Sequence, residues 1–382
     1  MVDQTKSPVI GLLFSDTGVT SEVERSQRYG AEMAISKINK SGGVLGAPVE
    51  MRKKDLGGDP DRFRTYVEHL IKNEGVRMFV GCYMSHTRKA VIPSIERSDA
   101  LLFYPTPYEG FEYSPNIFYG GPAPNQNSAP LAAYLIKNYG PRVVFVGSDY
   151  IYPHESNHVM RLLYKEHGGE VVDEVYLPLY PSDSDLRNAA LTVERCNPDV
   201  VFSTVVGHGT SQFYQEVKRV YVGRSSPPIA SLTTSEAEIH EMPLDVAKGS
   251  VVAAPYFSAL CNQDSLKFMR ECREFFPKGV AVTAWSEAAF YQTMLLLKSI
   301  ESAGTLDPLK IKESVYGMQL QAPQGTVFVD KKNNHTHLYC RIAQVDDQGA
   351  FNILWSSEEA ISPDPYVVAH SLQDWANKMP GG

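Results

Sequence analysis

Short apolar runs alternate with helix-length amphipathic stretches along most of the chain. Val9–Leu13 reads as a strand, and Glu22–Asn39 follows as a helix with Tyr29, Met33 and Ile38 near one face. Val49–Arg52 is a weak strand, Arg62–Lys72 a helix, and Val76–Cys82 a strong strand. His86–Arg97 continues as a helix in spite of Pro93, and the strand Leu101–Tyr104 is stopped by Pro105 and Pro107. A repeated strand–helix rhythm of this kind predicts a parallel sheet with helices on both faces.

The rhythm pauses over Tyr108–Gln126, rich in Gly, Pro, Asn and Tyr, which predicts a crossing connection. It then restarts. Helices are expected over Ser128–Tyr139, His154–His167, Leu186–Cys196 and Gln212–Tyr221, with strands Arg142–Val146, Val171–Leu177, Val200–Val206 and Ile229–Leu232 between them. Val251–Tyr256 begins another change, and Ala281–Ser302 is a long helix. The tail differs: Gln324–Val329, His337–Val345 and Gly349–Trp355 read as antiparallel strands, the last two joined by a turn at Asp346–Gly349. The expected architecture is α/β, with two doubly wound parallel-sheet lobes and three crossover connections. The expected lobes are interleaved, 1–121 plus 255–330 and 122–254 plus 331–382.

Composition sharpens this picture by exclusion. The chain has 382 residues, 43% apolar and 21% charged, enough for two cores. Its net charge of −8 gives no basic excess to favour direct nucleic-acid binding. No run of 18 apolar residues reads as a membrane span. The first eight residues are polar, and the first apolar run is already a strand, so a secretory signal is not expected. Five scattered cysteines without a CxxC pair fit free thiols in a reducing compartment, and a cytoplasmic location is the expectation. Tyrosine is unusually common, 21 residues against 16 Phe.

In doubly wound sheets ligands sit outside the carboxyl ends of the strands. Those ends carry Tyr83, Met84 and Ser85; Tyr104, Thr106 and Pro107; Tyr150 and Tyr152; Thr204; and Thr233. Tyrosines and neutral hydroxyls therefore recur at five strand ends, which predicts a pocket. Ser85 stands before a helix, where an N-cap hydroxyl and backbone N–H groups can meet an acceptor atom.

Other motifs carry candidate chemistry. His154-Glu155-Ser156-Asn157-His158 has the HExxH spacing of zinc peptidases, but it follows Pro153 and lacks a third ligand at a suitable distance, so a solvated helix start is the better reading. His335 and His337 alternate on a strand and read as polar surface. Cys82 reads as core packing. There is no GxSxG, no GxxxxGK[ST] and no complete GxGxxG, so no metal or cofactor is expected and no enzymatic activity is indicated. Tyrosine faces also leave open a cage for a quaternary ammonium.

Several stretches resemble a known family. They are Gly11–Ser15 with Thr17 and Gly18, Gly57–Asp61, Val80–Lys89, Tyr104–Pro115, Gly120–Tyr134, Gly147–Pro153 and Ser231–Glu236. The architecture resembles the type I periplasmic-binding-protein fold. The stretches resemble the AmiC-type amide sensors of bacterial amidase operons, from Val9 to about Trp375. The resemblance implies a cytoplasmic negative regulator that binds short aliphatic amides such as acetamide in an interlobe cleft. It further implies control over release of an RNA-binding antitermination regulator of the AmiR type, and it leaves homo-oligomerisation open. The implied pocket is Tyr83, Ser85, Tyr104, Thr106, Pro107, Tyr150 and Tyr152, with Thr204 and Thr233 as further positions. The alternative is the substrate-binding receptor of an ABC importer for urea or short-chain amides.

Overall fold

The computed structural model describes residues 7–367 and 372–379; the outermost ends of the expected lobes, 1–6 and 380–382, lie outside the described residues. The chain opens with β1 (Val9–Leu13), α1 (Ser21–Lys40), β2 (Glu50–Lys53), α2 (Pro60–His69), β3 (Met78–Gly81), α3 (Ser85–Arg97), β4 (Leu101–Tyr104) and β5 (Ile117–Tyr119). These strands form a sheet of order β2-β1-β3-β4-β5, parallel throughout. β1, β3 and β4 are almost fully buried, as strands covered on both faces must be. α2 starts where Asp59 accepts the N–H groups of Asp61 and Arg62 and Pro60 fills the first helical position.

The middle of the chain supplies α4 (Pro124–Asn138), β6 (Arg142–Ser148), α5 (Ile151–Glu166), β7 (Glu170–Leu177), α6 (Asp183–Cys196) and β8 (Val200–Thr204). It continues with α7 (His208–Val220), β9 (Ile229–Ser231), α8 (Glu236–His240), α9 (Leu244–Ala247) and β10 (Val251–Ala254). Then come α10 (Gln263–Phe275), α11 (Ala284–Ala303), α12 (Pro308–Tyr316), β11 (Gln319–Ala322), β12 (Gly325–Val329) and β13 (Thr336–His337). β14 (Arg341–Val345), β15 (Phe351–Ser356) and α13 (Leu372–Lys378) complete the order. The second sheet runs β15-β14-β10-β9-β8-β6-β7; the β10–β14 and β14–β15 pairs are antiparallel and the other pairs are parallel. A small antiparallel sheet, β11-β12-β13, accompanies the first.

Two compact units result. One is Met1–Thr106, Glu112–Gly121 and Cys261–Leu338; the other is Pro107–Phe111, Pro122–Leu260 and Tyr339–Gly382. The later divisions fall at 260/261 and 338/339, where the sequence reading placed them at 254/255 and 330/331. Local bonds explain both shifts. The Ser258 N–H donates to Glu236 at 2.8 Å, Phe257 packs on Phe351 at 4.8 Å, and Arg341 donates to the Pro255 carbonyl, which holds 255–260 in the second unit. β13 pairs with β12, and His335 stacks on Tyr119 at 4.2 Å, which holds 335–337 in the first. The expected single strand His337–Val345 is accordingly two strands, broken at 338–340 where the chain leaves one unit for the other.

β5 lies inside the stretch read as a bare connection, and α8, α9, α10, α12 and β11 also escaped the sequence pattern. β5 has three residues and α8 and α9 have five and four, too few for a period to show. The long helix is different. α11 is buried along most of its length, so its apolar residues are not confined to one stripe. It packs against α1 so closely that a Cβ on Gly30 would lie 2.2 Å from the Ser286 carbonyl oxygen. Gly30→Ala is therefore expected to destabilise the first unit by about 1–3 kcal/mol through overpacking. Urea unfolding checks it: the midpoint falls while the slope stays unchanged.

Candidate functional site

In the first unit the strand order reverses between β1 and β3, the position at which open α/β sheets present their carboxyl ends to a ligand. β3 leaves the sheet through Cys82, a non-glycine residue at φ 65°, in the left-handed region that L side chains disfavour. Tyr83, Met84 and Ser85 follow. Met84 is the N-cap of α3 and Ser85 its first helical residue, so Ser85 sits one place further into the helix than the expected cap. Two side chains from the end of β4 hold this turn. The Thr106 hydroxyl donates to the Cys82 carbonyl at 3.1 Å, and the Tyr104 hydroxyl donates to the Tyr83 carbonyl at 3.1 Å. Gln27 Nε2 in turn donates to Thr106 Oγ1 at 2.9 Å and to the Pro105 carbonyl at 3.0 Å. Tyr83, Ser85, Tyr104 and Thr106 are thus gathered at two adjacent strand ends, all buried.

A buried ionic group is bonded to Tyr104. Arg88, on α3, has no exposed surface. Its Nη1 donates to the Tyr104 hydroxyl at 3.0 Å, and its Nε and Nη2 donate to the two Glu112 oxygens at 2.9 and 3.2 Å. Tyr119 and Lys89 also donate to Glu112, at 3.0 and 2.9 Å. Burial pushes the Glu112 carboxyl up, but the charge and hydrogen bonds of Arg88, helped by Lys89, outweigh it and hold the group below its ordinary range. His335, stacked on Tyr119, is pushed down to about 4 by burial, so it is neutral rather than a surface polar group. None of Arg88, Glu112, Gln27 or His335 was singled out as a site residue from sequence. A basic and an acidic residue 24 positions apart give no periodic signal.

The β1 end carries a second polar feature that sequence reasoning missed. Glu24 is buried; its oxygens accept the Ser15 N–H at 2.8 Å and the Thr20 hydroxyl at 2.7 Å. Ser15 Oγ accepts the Gly58 N–H at 2.9 Å. Burial raises the Glu24 carboxyl to about 7 despite those hydrogen bonds.

In the second unit the order reverses between β6 and β8. Ser148, at the end of β6, accepts the Val206 N–H at 3.2 Å and ties the two strand exits together. Tyr150 is the N-cap of α5 and half-buried, and Tyr152 is buried within its first turn, which raises its phenol well above the ordinary value. The Thr204 hydroxyl donates to Asn157 Oδ1 at 3.1 Å, under α5. Thr233, beyond the end of β9, lies 3.3 Å from the Ser231 hydroxyl, which also accepts the N–H groups of Thr233 and Thr234 at 3.1 Å. Pro107 is buried and opens the segment Pro107–Phe111 of this unit. Tyr150, Tyr152 and Thr204 therefore flank one reversal, with Thr233 one strand further along.

The acids at this edge are engaged locally. Glu236 accepts the Ser258 N–H at 2.8 Å; Glu238 accepts the N–H and hydroxyl of Ser235 at 2.8 and 2.6 Å. Burial raises both, Glu238 to about 7. Asp149 meets His154 Nε2 at 2.8 Å, and the His154 ring stacks on Tyr176 at 3.8 Å. His154 and His158 are both exposed on α5. Among the described residues no three His, Cys, Asp or Glu side chains converge as a metal site would require. His337 pairs with Asp330 at 3.5 Å and stacks on Phe328. Cys82 is buried and its thiol is pushed up by burial, the opposite of an activated nucleophile.

Two parallel-sheet lobes with polar strand ends at their order reversals agree with comparison to known proteins. Residues 9–372 match the periplasmic binding protein domain family. The chain belongs to this family. Leu/Ile/Val-binding protein homolog 6 of Brucella suis is 23% identical over 317 residues, 80% of each chain. The leucine-, isoleucine-, valine-, threonine-, and alanine-binding protein of Pseudomonas aeruginosa is 22% identical, over 83% of this chain and 84% of its own. An ABC transporter solute-binding protein of R. palustris, solved with 4-hydroxybenzoate, superposes with a TM-score of 0.84 at 20% identity, covering 95% of this chain and 99% of its own. The type I periplasmic-binding-protein fold is thereby established for a chain whose named relatives bind solutes.

The buried acids of this family member give its stability a pH dependence. Glu24 titrates near 4.5 when unfolded and near 7 when folded, so the folded chain holds that proton more tightly. Its contribution, roughly 3 kcal/mol, is whole below about pH 4.5 and is lost as pH rises through about 7. Glu238 acts in the same direction over the same window. Unfolding free energy is expected to fall between about pH 5 and 7.5, and Glu24→Gln to remove about half of that fall. Urea titrations at several pH values measure it.

Proposed function

We propose that the chain is a non-catalytic receptor whose ligand is a small uncharged solute of the short-amide or urea class. The observation that carries this reading is the chemistry of the strand ends at the two order reversals. They present hydroxyls and tyrosines, while Glu24 at the β1 end and Asp149, Glu236 and Glu238 in the second unit already hold hydrogen bonds within their own unit. A free amino acid brings an ammonium group, and burying it unpaired costs several kcal/mol. A short amide brings one carbonyl acceptor and one NH2 donor pair. Ser85, Thr106 and Tyr150 are the proposed polar contacts. Tyr83, Tyr104, Tyr152 and Pro107 wall the apolar end, with Thr204 and Thr233 at the margin.

The setting that the comparisons favour is solute capture for an ABC importer, since the named relatives are solute-binding proteins. That setting places the protein outside the cytoplasm. The second reading, a cytoplasmic amide sensor that restrains an RNA-binding antitermination regulator of the AmiR type, is favoured by the specific stretches Val80–Lys89 and Tyr104–Pro115. The two readings share a ligand and differ in partner. In either, the ligand can shift a conformational equilibrium only by its difference in affinity for the two states.

Calorimetry with acetamide, urea, leucine and 4-hydroxybenzoate tests the ligand class. Acetamide or urea is expected to bind and the two charged solutes are not. Ser85→Ala is expected to weaken acetamide binding about five- to tenfold, the worth of one neutral hydrogen bond. Tight leucine binding, or no binding of any short amide or urea, overturns the proposal. Co-purification with and without acetamide then separates the two partners.

A further inference from the structure

We propose that Arg88 is a positioning residue that sets the backbone of Tyr83–Ser85 through the Tyr104 hydroxyl. The inference rests on the reading of that loop as ligand-facing. Cys82 holds a left-handed conformation without being glycine, so the β3 exit is a turn that needs outside support. The support comes from the next strand end, and it is sequential: Thr106 takes the carbonyl of Cys82 and Tyr104 the carbonyl of Tyr83.

Tyr104 can donate in that direction only if its oxygen is correctly turned. A phenol carries one proton and accepts through its lone pairs. Arg88 Nη1 donates to that oxygen at 3.0 Å, which leaves the phenol proton to point at the Tyr83 carbonyl. The guanidinium is itself fixed by its fork on both Glu112 oxygens, and Glu112 is fixed by Tyr119 and Lys89. Lysine cannot reproduce this: a single ammonium lacks the planar fork that serves a carboxylate with two N–H groups and a phenol with a third. Arg88 also stands three residues after Ser85 on α3, on the same helical face. One side chain therefore ties the helix that carries Ser85 to the turn that leads into it.

Backbone hydrogen exchange over residues 82–88 reads the loop without any ligand, and acetamide calorimetry reads its consequence. Tyr104→Phe deletes only the linking oxygen. It is expected to speed exchange of those amides about tenfold, leave β8 amides unchanged, and weaken acetamide binding by a similar factor. Arg88→Lys is expected to open the loop likewise although the charge is kept. Unchanged loop exchange in both Tyr104→Phe and Arg88→Lys overturns the proposal. So does exchange that rises equally in β8, because that is general loss of stability. Should wild type bind neither acetamide nor urea, the proposed ligand class falls, and the loop exchange still decides the role of Arg88.

Discussion

A guanidinium without any exposed surface has to be matched, and the pairing of Arg88 with Glu112 is the constraint around which the first unit's strand ends are arranged. Removing one partner of such a pair leaves an uncompensated buried charge, which costs about 3–5 kcal/mol. The pair therefore fixes α3, the end of β4 and the segment around Glu112 as one assembly. Tyr104 and Tyr119 both hang from it, and His335 stacks on Tyr119 as a neutral ring. The buried charge is thus matched within the unit, and it is tied to the β3 exit through the Tyr104 hydroxyl.

Neutral hydroxyls at the strand ends suit the neutral ligand proposed above. A hydroxyl can donate or accept, so it fits an amide in either sense, whereas a carboxylate would favour a cation. The second unit follows the same rule in another way. Three of its acids serve helix starts and loop closures: Glu238 on Ser235, Glu236 on Ser258, Asp149 on His154.

Much of the architecture was legible because buried strands such as Met78–Gly81 and Val200–Thr204 are apolar runs and most helices carry a stripe. β5 was not, since three residues in a Pro- and Gly-rich stretch hold no period. The break between β13 and β14 was invisible because Leu338 and Cys340 continue an apolar pattern while the chain changes unit. At the candidate site, strand-end logic found Ser85, Thr106, Tyr150 and their neighbours as positions. It did not find which way their hydroxyls turn. Tyr104 and Thr204 were read as pocket walls or contacts, yet their hydroxyls bond to a backbone carbonyl and to Asn157. Hydrogen-bond direction is set by neighbours distant in sequence, and no local pattern records it.

The interleaving of the units has a consequence for synthesis. Ser26, on α1, donates to the carbonyl of Ala281, 255 residues further along the chain, and Gly30 packs on the backbone of α11. β10 likewise gains its neighbour β14 only after the whole of β11–β13 has been made. As the chain emerges from the ribosome, the first sheet must wait with one face covered by α1 but not yet by α11 while most of the second unit is translated, and the second must wait for its last two strands. Neither unit is an early, self-sufficient folding unit. Contacts of such long range are closed late and slowly, so neither unit is complete before its later segments have been made. The first sheet's apolar face is then the surface most in need of protection during the interval.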